Sequence, residues 1–153
     1  MIESFLQILP ATQDERDWAA GLLSSSDPWK RLGISREDLL AITHDREYLI
    51  YTAHIEDKLC GITILDPRGV AGAPYIKSIL VAEEYRNRGI GAHLVAFAEN
   101  LFKQKSPHLF LCVSSFNIKA RAFYERSGYS AIGVLKDHIK MGEAEILMYK
   151  RIS

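Results

Sequence analysis

The chain lacks an excess of either charge. Its 19 lysines and arginines stand against 19 aspartates and glutamates, so no global field draws it to nucleic acid or to a membrane surface. Cysteine is scarce: Cys60 and Cys112 are isolated, with no CxxC and no Cys/His cluster. That speaks against a zinc site and fits a reducing cytoplasm. No apolar run approaches the ~20 residues of a membrane-spanning helix. The opening "MIESFLQILPATQDERDW" has neither the basic start nor the long apolar stretch of a signal peptide. Repeats, low-complexity tracts and linkers are also missing. Two phosphate-binding signatures fail as well. Nothing matches the P-loop pattern GxxxxGK[ST], and a dinucleotide fingerprint is broken because Leu94 stands where its third glycine belongs.

What is present reads as one domain over residues 1–153. Apolar residues make up 48% and charged residues 25% of the chain, enough for one sizeable core. "SFLQIL" (4–9) reads as a strand. "ATQDERDWAAGLL" reads as a helix, with Thr12 as N-cap and Glu15 completing a capping box. "SSSDPW" (24–29) is turn chemistry that ends this helix. Ser35 and Asp38 open a second helix to about Ile42. "YLIYTAHI" and "LCGITIL", separated by "EDK", read as a hairpin. "DPRGVAGAP" (66–74) reads as a loop and "YIKSILV" (75–81) as the next strand. The helix after "RNRG" places Ile90, Leu94, Phe97, Ala98 and Leu101 on one face. "HLFLCV" reads as a strand, "IKARAFYERSG" as a helix stopped by Gly128, and "YSAIGV" and "AEILMYK" as two final strands. The order β-α-α-β-β-β-α-β-α-β-β predicts an α/β fold with a single mixed central sheet flanked by helices.

The stretch "YRNRGIGAHL" (85–94) follows a strand ending at Val81 and opens a helix. The first amides of a helix lack partners within it, and the helix dipole adds partial positive charge. Glycines let an anion approach that backbone without a Cβ in the way. Arg86, Gly89 and Gly91 therefore read either as a phosphate cradle or as a tight turn with solvated arginines. A second constellation follows the next strand. Asn117 lies at the opening of its helix and Tyr124 seven residues later, about two turns, so both can face one side. Taken singly, Asn117 reads also as an N-cap, and Tyr124 reads more readily as a core aromatic with a satisfied hydroxyl.

Together "ILVAEEYRNRGIGAHLV" and "NIKARAFYERSGY" resemble two motifs of the GNAT superfamily, the GCN5-related N-acetyltransferases. The first matches that family's strand plus Arg/Gln-x-x-Gly-x-Gly/Ala turn. The second matches its later Asn…Phe-Tyr-Glu-x-x-Gly-Phe/Tyr motif. Their separation and the strand order over residues 1–152 also agree. The resemblance implies a GNAT (acyl-CoA N-acyltransferase) fold with acetyl-CoA as cosubstrate and no metal. It implies that the backbone of Ile79, Leu80 and Val81 holds the pantetheine arm. The amides around Asn87, Arg88, Gly89, Ile90, Gly91 and Ala92 would cradle the pyrophosphate, with Arg86 starting the turn. Asn117 would contact the cosubstrate, and Lys119 or Arg121 its 3′-phosphate, a solvated helix face being the alternative and the preferred reading for Arg121. Tyr124 inherits the role of general acid.

The implied reaction moves an acetyl group to a primary amine of a small molecule, peptide or protein by direct attack in a ternary complex. The alternative is a regulatory domain of the same fold that binds acyl-CoA without turnover. A homodimer is common in the family. The general base has no motif. Relatives that acetylate ribosomal protein N-termini carry a glutamate on the strand before the later motif, where this chain has Cys112, read here as a buried strand residue. Glu83 and Glu84 read as a solvated turn, and His54 and His138 as surface or structural histidines. The resemblance assigns the acceptor wall to residues 22–35, where Trp29 reads as an apolar wall or as a core anchor.

Overall fold

The computed structural model describes residues 5–153. Strand β1 (Leu6–Pro10) leads into helix α1 (Gln13–Ser24), a single turn α2 (Trp29–Leu32) and helix α3 (Arg36–Thr43). Strands β2 (Leu49–Ile55), β3 (Lys58–Val70) and β4 (Ala73–Val81) form an antiparallel meander. Helix α4 (Ile90–Phe102), strand β5 (His108–Ser114), helix α5 (Ile118–Arg126) and strands β6 (Ser130–Lys136) and β7 (Ala144–Arg151) complete the chain. All seven strands share one sheet in the order β1-β2-β3-β4-β5-β7-β6. It is mixed because β4 and β5, joined through α4, run parallel, as a strand–helix–strand connection requires.

Helix α1 begins where Thr12 places it. The Thr12 hydroxyl accepts from the Glu15 amide at 3.2 Å, and the Thr12 amide donates back to Glu15 Oε1 at 2.9 Å. The same carboxylate accepts the Thr52 hydroxyl at 3.1 Å and lies 3.3 Å from His54 Nε2. The capping box thus also ties α1 to β2, and His54 is structural. Ser35 caps α3 through the Asp38 amide.

The two sheet faces have different covers. Ala19, Ala20, Leu23 and Leu39 of α1 and α3 bury Ile50, Ile62 and Ile64 on one face. On the other, Val95, Ala98 and Phe102 of α4 pack with Leu109, Leu111, Val113, Ile146 and Met148, joined by Tyr124. Alternation along each strand gives this separation.

The sequence reading needs correction at four places. The strand expected over residues 4–9 is β1, and its first residue lies outside the described part of the chain. Residues 66–74 are not a loop. Strand β3 runs on to Val70 and β4 starts at Ala73, joined by Ala71 and Gly72 at φ 49° and 81°. Two consecutive left-handed residues make the tight turn whose twist suits a hairpin. Pro67 is tolerated because it falls in the irregular pairing between Asp66 and Val70. The turn chemistry after Ser24 contains the additional turn α2. On α4, Ile90, Leu94 and Ala98 are buried as expected, but Val95 and Phe102 complete the buried stripe. Phe97 instead lies edge-on to Tyr51, with ring centroids 4.7 Å apart.

Thr12→Ala removes the cap acceptor and should destabilise the protein by about 1 kcal/mol. Denaturant unfolding should show a lower midpoint at unchanged slope. An unmoved midpoint would mean that the contacts of Glu15 with β2 hold the start of α1 unaided.

Candidate active site

The site begins with a failure of pairing. Strands β4 and β5 are in register only at Tyr75↔Phe110 and Ile76↔Leu111. A bulge accompanies the separation. Against β3, Ser78 pairs with Ile64 and Ile76 with Leu65, so Lys77 is an extra residue. The bulge switches the phase of β4. Ile76 packs into the core beneath α4 and α5, whereas Leu80 packs against the α1–α3 core. Beyond it, Ile79, Leu80 and Val81 line a cleft of about 1320 Å³ on the side that β5 has left.

Helix α4 opens on the same cleft. A short 3₁₀ turn at Glu83–Tyr85 leads to Asn87 at φ 64° and Gly89 at φ 84°. Gly89 is the N-cap residue of α4 and offers no side chain to the first amides. Thr12, Ser35 and Asn117 cap α1, α3 and α5 through their side chains. The first turn of α4 therefore presents the donors an anion would take. Arg86 closes the turn with its Nε donating to the Val81 carbonyl at 3.0 Å. Gly91 has a packing reason as well: a Cβ there would touch the Phe123 ring at 3.4 Å.

Of the residues singled out from the sequence, Ile79, Leu80, Val81, Arg86, Asn87, Gly89, Ile90, Gly91, Ala92, Asn117, Lys119 and Tyr124 all line this cleft. Arg88 does not; its guanidinium lies over the Tyr85 ring at 5.4 Å. Asn117 is the N-cap of α5, its Oδ1 accepting the Ala120 amide at 3.2 Å, and it borders the cleft. Arg121 pairs with Glu125 at 3.4 Å on an exposed helix face, and Lys119 is exposed at the cleft. Trp29 likewise does two things, packing on the α1–α3 core and lining the cleft. Glu83 and Glu84 are exposed at its rim.

Tyr124 is 8% exposed. Its ring stands edge-on to Phe123 and Tyr129, and burial pushes its phenol well above the usual range. It stays protonated at neutral pH.

The sequence reading missed the group across the cleft floor. Cys112 and Ser114 of β5 project from the face opposite to Val113, and Glu145 of β7 is the register partner of Ser114. The Ser114 hydroxyl donates to Glu145 Oε2 at 2.6 Å. Tyr75 of β4 lies beside Cys112, and desolvation raises both the phenol and the thiol. Cys112 is half-buried and lines the cleft, not sealed in the core as expected. The only hint was Glu145 itself, an acidic residue inside the apolar run "AEILMYK". Its partner strand is 31 residues away.

Residues 12–129 match the model of the Acetyltransferase (GNAT) family. The chain belongs to the GNAT family. An uncharacterized N-acetyltransferase of Methanocaldococcus jannaschii is 32% identical over 103 residues, covering 66% of this chain and 65% of that relative. This GNAT chain thus matches just under two thirds of the relative's length. The ribosomal-protein-S18-alanine N-acetyltransferase from Escherichia coli has the same fold, with a TM-score of 0.77 at 19% identity over 97% of this chain and 94% of its own. A Bacillus anthracis protein assigned as a streptothricin acetyltransferase was solved with acetyl coenzyme A. It aligns with a TM-score of 0.63 at 26% identity over 71% of this chain and 64% of its own.

The two cysteines of this GNAT domain should report its cleft. Cys60 is fully buried under α4, and desolvation raises its thiol to about 11. Cys112 borders the cleft. An intact-mass measurement after mild treatment with a thiol reagent at pH 8 should show one adduct, mapped to Cys112, and a second only after unfolding. Modification of Cys60 first would contradict this packing.

Proposed function

We propose that this GNAT protein transfers the acetyl group of acetyl-CoA to a primary amine of a small molecule, peptide or protein by direct attack in a ternary complex. The observation that carries the reading is the convergence of three features on one cleft: the separated edge of β4, the uncapped start of α4, and Tyr124 from α5.

The residues fit the cosubstrate. Backbone groups of Ile79, Leu80 and Val81 that β5 leaves unpaired can hydrogen-bond the amides of a pantetheine arm, as an added strand would. The amides from Asn87 to Ala92 suit a pyrophosphate, with Arg86 fixing the turn. Asn117 would contact the cosubstrate and Lys119 its 3′-phosphate, while Arg88 would contribute through its amide, its side chain lying over Tyr85. Acetyl-CoA supplies an activated acetyl group as a thioester.

This chain's residues do the rest. Strand amides near the bulge can stabilise the oxyanion that develops as the amine adds. Departure of the thiolate requires a proton, and Tyr124 is the buried donor at the gap. Residues 22–35, with Trp29, would select the acceptor.

Tyr124→Phe keeps the ring and removes the one donor. Turnover should fall about a hundredfold or more, with acetyl-CoA affinity and melting temperature nearly unchanged. The assay is thiol release from acetyl-CoA with a panel of amines and peptides, beside calorimetry with CoA. Near-wild-type turnover would remove Tyr124 from the mechanism. CoA binding with no turnover on any amine would favour a binding module.

A further inference from the structure

The carboxylate of Glu145 is an unusual group to find at the floor of this cleft. It is 5% exposed. Its one hydrogen bond among the described residues is the 2.6 Å contact from Ser114 to Oε2, which leaves Oε1 without a partner among them. No described lysine or arginine pairs with it, and His138 lends the favourable charge nearby. Lys77 lies over the Tyr48 ring at 5.3 Å. Arg31 pairs with Glu143 at 3.2 Å and covers the Phe116 ring at 4.0 Å. Lys140 donates to the Arg31 carbonyl at 3.2 Å. No buried side-chain oxygen among the described residues lacks a partner, so Oε1 opens to the cleft, where a cationic ligand can reach a carboxylate that has no close lysine or arginine.

Its placement says which ligand. Glu145 shares its sheet face with Cys112 and Ser114, whereas Tyr124 packs with Val113 and Ile146 on the other. Both border the cleft at the gap between β4 and β5. Trp29 and Pro28 of the α2 region and His138 and Ile139 of the β6–β7 turn also line it. The Arg31–Glu143 pair links these two walls. A chain entering between them would reach Glu145 on one side of the gap, with Tyr124 on the other.

We infer that Glu145, held by Ser114, binds the ammonium group of the acceptor and takes its proton, so that the acceptor is a cationic primary amine delivered as the free base to the acetyl carbonyl. This rests on the acetyl-transfer reading above and adds the missing base. The protons balance. The ammonium gives its first proton to Glu145, which returns it to solvent. The nitrogen lone pair forms the C–N bond, the C–S bond breaks, and the thiolate takes a proton from Tyr124. The second proton of the amine leaves as the amide forms and restores Tyr124 through the cleft.

Desolvation lifts the Glu145 carboxyl above the usual carboxylate range, which narrows the gap to an amine and improves it as a base. Glu143 pushes the same way, while the Ser114 hydrogen bond and His138 oppose it. Tyr75 and Lys77 from β4, Cys112 from β5 and Tyr124 from α5 are the other titratable groups at this floor. The base form is the carboxylate, so activity lost on acidification should return as the pH rises through this raised value.

The test uses Glu145→Gln, Glu145→Asp and Ser114→Ala in the full chain. With an amine that the wild type acetylates, Glu145→Gln should lower kcat/KM for the amine at least a hundredfold at pH 7 and leave acetyl-CoA affinity unchanged. Its remaining rate should follow the amine's own ionisation. Glu145→Asp should restore part of the loss. Ser114→Ala should move the acid limb to higher pH, since it removes the hydrogen bond that favours the charged form. A purely structural Glu145 would alter melting without moving the pH profile. Calorimetry of the CoA-loaded protein with n-pentylammonium and with n-pentanol gives a reading independent of turnover. The ammonium should bind at least tenfold tighter than the alcohol, and Glu145→Gln should erase the difference. Equal binding of the two, or Glu145→Gln turnover within threefold of wild type at an unchanged pH profile, overturns the inference. Absence of wild-type turnover alongside charge-selective binding would instead count against acetyl transfer alone.

Discussion

Everything at this site depends on the refusal of β4 and β5 to pair for more than two residues. A parallel pair inside a sheet normally satisfies its backbone groups along its length. Here the ladder stops after Ile76↔Leu111, and the edge of β4 turns into a slot. A bulge at Lys77 accompanies the separation. The rest of the chain is arranged around that slot. Helix α4 starts at its mouth, α5 delivers Tyr124 to it from one face, and α1–α3 wall it on the other.

The slot explains why the start of α4 is so bare. Helices α1, α3 and α5 use Thr12, Ser35 and Asn117 as caps, each satisfying an amide. Gly89 does not do this for α4. It adopts a left-handed conformation that favours glycine. The two arginines of the stretch divide the labour. Arg86 braces the turn through Val81, and Arg88 lies over Tyr85. Much of the positive character therefore belongs to backbone amides and not to side chains.

Local chemistry was legible in the sequence, and long-range pairing was not. The Thr12–Glu15 box, the Ser35 cap and the glycine turn each depend on residues within a few positions, and each stands where its spacing put it. Asn117 and Tyr124 could be placed on one helix from their spacing, and both line the cleft. The hairpin over residues 66–74 was misread because Pro67, Gly69 and Gly72 suggest a loop, while strand pairing overrode them. Glu145 was missed for a related reason. It lies opposite Ser114, and β5 and β7 become neighbours only once the last strand is inserted between β5 and β6. A register-based relation of that kind leaves no local pattern.

The central claim is that the separated edge of β4 and the first turn of α4 form one binding surface for the cosubstrate. Residue-resolved hydrogen exchange with and without CoA tests it most directly, because it reads the backbone itself. CoA should slow exchange in two segments together, the amides of residues 79–81 and those of residues 89–92, with little change in α1 or α3. Calorimetric binding of CoA with unchanged exchange in both segments would contradict the account.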